Sequence, residues 1–150
     1  MTNEEVRQGF AEVYNEFWCR YKDRVPAKYS PEWERIYTRY TILRKKYPFL
    51  GETLSNLAVE LDRRMRKLQK SGIDFMTGEQ KRQDDHFQMV DGTFNDAYVF
   101  YKKFHGRPLE PGMTEEMTKE FGSILKKYNS SLFCTRIMLA VFSQIEEETR

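Results

Sequence analysis

Residues 132–145, LFCTRIMLAVFSQI, put apolar side chains on almost every side of a helix. Leu132, Phe133, Cys134, Ile137, Met138, Leu139, Val141, Phe142 and Ile145 leave little polar arc to face water, and such a helix belongs inside a larger helical assembly. Its longest unbroken apolar run, Ile137 to Phe142, falls far short of the ~20 residues a membrane span needs. The reading is an all-α bundle with this segment, running from about Asn129 or Ser130 to Glu147, at its centre.

The rest of the chain supplies the layers around it. Phe87, Val90, Phe94, Ala97, Tyr101 and Phe104 recur at spacings of three and four, the longest regular seam in the sequence. Asp91-Gly92-Thr93 sets poor helix formers midway along it and leaves a break there open. Thr77 and Gln80 form a capping box ahead of this seam. Further back, Glu52 opens a segment with Leu54, Leu57, Leu61, Met65 and Leu68 on one face and Gly72 as its stop. Ser30-Pro31 begins another, with Trp33, Ile36, Tyr40, Leu43 and Tyr47 as its stripe and Pro48 as its end. At the N-terminus Thr2 and Glu5 form a capping box for a helix reaching about Arg24, with Val6, Phe10, Val13, Phe17 and Tyr21 inward. Thr114 caps a helix carrying Met117, Phe121, Ile124 and Tyr128.

This makes five to six helices in a single domain over residues 1–150, a common size for one folded unit. Hydrophobic residues at 39% and charged residues at 32%, with mean hydropathy -0.77, suit a soluble globular protein. No basic stretch followed by an apolar run opens the chain, so a cytosolic, membrane-free protein is expected. Cys19 and Cys134 lie among apolar residues and read as reduced, packed thiols.

Helical enzymes leave recognisable spacings, and these are missing. Gln83 and Lys102 stand three residues before His86 and His105, where a di-iron bundle needs glutamates. H-E-x-x-H, C-x-x-C, a phosphate loop and a dinucleotide fingerprint are all absent. Ser123, Ser130 and Ser131 have no His and acid partner that the sequence suggests. His105, beside Gly106, fits a helix C-terminus where it meets free carbonyls. Asp84, Asp85, His86 and Asp91 offer oxygen and nitrogen donors for a divalent cation. Their spacing follows no metal motif, and acids in a first helical turn are already explained by the macrodipole. No cofactor is expected, and a metal-dependent hydrolase is the least supported reading.

Charge is unevenly spread. Residues 35–70 hold ten bases against three acids, Glu52, Glu60 and Asp62, while the whole chain is only +2. Arg35, Arg39, Arg44, Lys45 and Lys46 lie on the second helix, with Arg63, Arg66, Lys67 and Lys70 opposite the leucine stripe of the third. Tyr37 and Tyr47 are interleaved with them. If the two helices pair through their apolar faces, their outer sides merge into one positive patch that attracts phosphate. Amphipathic helices also turn Lys and Arg to water with no ligand at all, and bases in a last turn complement its dipole. The leading expectation is a non-enzymatic module for a nucleic acid or nucleoprotein, of the sort that phages and mobile elements use as accessory or inhibitor proteins, anti-CRISPR proteins among them. A second expectation is a protein–protein adaptor or homodimer, in which Tyr14, Trp18 and Tyr21 widen the apolar arc of the first helix into an aromatic contact surface.

Overall fold

The computed structural model describes residues 1–71, 85–107 and 110–149, except for the side chains of 71 and 85–91. The described residues form six helices and no strand. The fold is all-α, with a single core to which every helix contributes.

Helix α1 (Asn3–Val13) starts at the capping box read from the sequence. The Glu5 amide donates to Thr2 Oγ1 at 3.1 Å, and the Thr2 amide to Glu5 Oε2 at 2.8 Å. Beyond Val13 the chain widens into a π-helical stretch, Tyr14–Trp18, and finishes with one α turn, Cys19–Tyr21. The first helix therefore stops short of Arg24. The widening also changes its phase. Trp18 follows Val13 by five residues, one π turn, so Phe17 and Trp18 both point into the core with no exposed surface.

Helix α2 (Glu32–Lys46) begins one residue past the expected start, with Ser30 Oγ accepting from the Glu32 amide at 3.2 Å. A 3₁₀ turn, Pro48–Leu50, leads straight into α3 (Gly51–Ser71). Helix α4 (Asp85–Phe104) runs unbroken through Gly92. A Cβ there would collide with the Tyr128 hydroxyl, and Thr93 is wholly buried, so the weak helix formers at 92–93 are sites of close approach between helices. Helix α5 (Met113–Lys127) starts after Gly112 at φ +89°, which places Thr114 inside the helix and not at its cap. Asn129 and Ser130 make a left-handed turn, and Ser131 caps α6 (Leu132–Glu148) by accepting from the Cys134 amide at 3.2 Å. The expected capping box at Thr77 and Gln80 and the Gly72 stop lie outside the described residues.

Helix α6 packs chiefly against α3 and α4 and also touches α5 and the 3₁₀ turn. It buries Phe133, Cys134, Ile137, Met138, Ala140, Val141 and Ile145. Its encirclement is incomplete, because Leu132 and Leu139, two turns apart, stay half exposed. Each fully buried Phe, Leu or Ile in this seam contributes about 1.5–3 kcal/mol of transfer free energy. No helix among the described residues is long and apolar enough to cross a membrane.

Candidate functional site

The two base-bearing helices do pair. Helices α2 and α3 form an antiparallel hairpin about the 3₁₀ turn, fixed by a 2.7 Å hydrogen bond between Tyr40 Oη and Ser55 Oγ. Pairing alone does not decide which bases are free to meet a ligand. Their partners do, and they divide the set in three.

The first group faces the first helix. Lys46 Nζ donates to both Glu12 oxygens at 3.0 and 2.9 Å, and Arg39 Nη1 to Glu16 at 3.2 Å. Arg39 and Lys46 are two turns apart on α2, and the two glutamates are one turn apart on the first helix. Tyr47 donates its hydroxyl to Glu12 as well. That bond, and then Lys46, hold the Glu12 carboxyl below its usual range, while burial pushes the Tyr47 phenol up. Tyr47 is therefore spent inside the fold and offers no ring to a partner. The open groove between these helices, of about 1280 Å³, is lined by four carboxylates (Glu12, Glu16, Glu32, Glu34) and four guanidinium groups (Arg20, Arg24, Arg35, Arg39). A balanced lining of that kind has no preference for an anion, although Arg35, its side chain 77% exposed, also reaches open water beyond the groove.

The second group is internal. Glu60 and Arg64 keep only 3% and 2% of their surface. Arg64 Nε donates to Glu60 at 3.1 Å, its Nη1 to the Lys22 carbonyl at 2.6 Å, and its guanidinium lies 4.8 Å from the Trp18 ring centroid. Trp18 also stacks on Phe133 at 5.3 Å. Arg63 reaches the same carboxylate from the rim at 3.0 Å. This cluster satisfies a carbonyl at the end of the first helix and draws Arg63 and Arg64 inward. Lys67 stands beside it, its ammonium lowered by burial and then by the Arg63 charge.

The third group faces water. Arg35 and Arg66 have side chains 77% and 75% exposed, and their ion pairs, with Glu32 and Asp62 at 2.8 Å, are local ones within a single helix. Arg44 rests on Tyr40, donating to its hydroxyl at 2.8 Å. Lys45 and Lys70 are exposed and make no ion pair among the described residues. Tyr37 is exposed on the same helix as Arg35 and Arg44. Exposed pairs between residues three or four apart are worth only about 0–1 kcal/mol, so a phosphate can displace them.

The aromatic surface expected on the first helix needs correction. Trp18 is a core residue for the phase reason given above, Tyr21 is buried as its place in the inward stripe implies, and Tyr14 packs on Phe94 at 5.2 Å. Tyr14 is instead one wall of a smaller cleft toward α4, which sequence reading missed because its far side, Phe94, Asn95 and Tyr98, comes from a distant segment. Asp84 and the side chains of Asp85, His86 and Asp91 lie outside the described residues, and among the described residues no cluster of three or more His, Cys, Asp or Glu is placed to hold a metal. The His105 ring stacks on Tyr101 at 5.2 Å and its Nε2 meets Asn3 Oδ1 at 2.8 Å, a role beyond helix termination. Ser131 is committed to its cap. Cys19 and Cys134 are free thiols, and burial pushes the Cys134 thiol up.

Compared with models of protein families, with curated proteins and with solved structures, the chain has no match in any of the three.

Proposed function

We propose that this protein is a non-enzymatic helical module that engages a nucleic acid or nucleoprotein through the outer side of the α2–α3 hairpin. The observation that carries the reading is the third group of bases. Arg35, Arg44, Lys45, Arg66 and Lys70 are exposed, and their local pairs, where they have any, are weak enough to yield to phosphate. Exposed Tyr37 adds a ring that can stack on a base or anchor a contact. The basic residues assigned to the patch from sequence thus reduce to this subset. Arg39, Lys46 and Arg63 serve the fold, Lys67 is half-buried, and Tyr47 is turned to Glu12.

The reading is tested by anisotropy of labelled 30-nucleotide single-stranded and duplex probes across ~50–200 mM salt. Five phosphate contacts on duplex DNA give a slope of log affinity against log salt near −4.5. A flat salt response, or no binding at the low-salt end, rejects the proposal. A phage or mobile-element inhibitor of a nucleic-acid machine is one setting that fits such a module.

A further inference from the structure

The first helix and α4 lie antiparallel, and between them opens a cleft of about 340 Å³. Phe10 and Phe94, both nearly fully buried, form its floor, and Tyr14 and Tyr98 its walls. Ala11, exposed and small among these rings, keeps the mouth open. The rings hold one another in place: Phe10 lies 5.6 Å from Phe94 and 5.3 Å from Tyr98, and Tyr14 lies 5.2 Å from Phe94. A hollow built this way exists before any ligand arrives, so little ordering cost attaches to filling it.

The chemistry around the mouth is one-sided. Arg7 lines it, Lys102 lies 5.9 Å from the Tyr98 ring, and amides come from Asn15 and Asn95. Among the described residues no carboxylate lines the cleft. Arg7 has a partner in Glu4 at 2.5 Å, but both side chains are more than half exposed, so that pair is readily exchanged for another. The rings meet at 40–69°, so the hollow lacks the parallel faces between which a nucleobase slides.

We infer that this cleft is a docking site for a short acidic segment of a protein partner, which inserts one large apolar side chain and sets a neighbouring Asp or Glu between Arg7 and Lys102. A single buried anchor ringed by polar contacts is how compact peptide sites concentrate their affinity. The inference rests on no part of the hairpin reading.

The test pans a displayed library of random 12-residue peptides on the full chain and on its Ala11→Trp variant, which fills the cleft from an exposed position. Enrichment on the wild type of sequences with Leu, Phe or Trp within two residues of Asp or Glu is expected. A synthetic peptide of that sequence should lose about tenfold or more in affinity to Ala11→Trp and several-fold to Arg7→Glu/Lys102→Glu. Circular dichroism melts guard against a folding defect, and the second variant touches no core residue. No enriched sequence, enrichment lacking acids, or enrichment indifferent to Ala11→Trp overturns the inference. So does either rival occupant: a labelled (dT)12 probe, or self-association seen by sedimentation, that is abolished by Ala11→Trp.

Discussion

Lys45 and Lys46 are neighbours in sequence and opposites in the fold. Lys46 is bound to Glu12 on the first helix, whereas Lys45, about 100° round α2, faces water with no ion pair among the described residues. The same contrast runs along the whole hairpin. Arg39 and Lys46 join two helices, Arg64 is sealed beneath Trp18, and Arg35, Arg66 and Lys70 stand on the outside. Net charge in a sequence window thus measures two different things, a supply of internal partners for distant acids and a residue of surface potential. Only the second can attract a ligand.

The contrast is most strongly broken at its innermost point. Replacing Glu60 with Leu removes the carboxylate beneath Arg64 and should cost about 3–5 kcal/mol in urea unfolding, with any loss of binding secondary to unfolding. Next comes the interhelical seam. Glu12→Gln weakens the contacts to Lys46 and Tyr47 and should cost about 1 kcal/mol, discounted for partial exposure. Its acid response carries a definite sign. The folded-state pKa of Glu12 lies below the usual 4.5, so its contribution is fully present above that value and disappears as pH falls through the folded pKa. Glu12→Gln should therefore be less stable at pH 7 and lose less than wild type on acidification from pH 5 to 3, read by thermal melts. The outer bases give the smallest stability effects. Arg35→Gln and Lys45→Gln should each change unfolding by less than about 0.5 kcal/mol, and an urea titration that finds either costing as much as Glu12→Gln would erase the distinction between inner and outer.

How much of this was legible in the sequence depends on distance along the chain. The stripes Val6-Phe10-Val13 and Leu54-Leu57-Leu61 gave their helices directly, because spacings of three and four allow few other structures. Trp18 was misplaced because a π turn inserts a residue into the helical phase, which no 3.6-residue template anticipates. Gly92 left continuity open because propensity registers the missing Cβ and not the Tyr128 hydroxyl that requires it. The neutralised bases were hidden for a similar reason. Arg66 and Asp62 form a pair visible at four residues, but Lys46 and Glu12 are 34 apart and meet only once the first helix and α2 have packed. The cleft needed Phe10 and Phe94 together, and its one sequence trace is Ala11, a small exposed residue in an aromatic helix.

The division of the bases is tested most directly by one pair of triple variants on the same labelled duplex. Lys45→Glu/Arg66→Glu/Lys70→Glu should fold like wild type and make the salt slope shallower by about 2.7, the loss of three phosphate contacts. Arg39→Gln/Lys46→Gln/Glu12→Gln should lose stability and keep the wild-type slope. If the outer variant binds as wild type does, or if the inner variant alone loses the salt dependence, the assignment of ligand-facing charge to the outside of the hairpin is wrong.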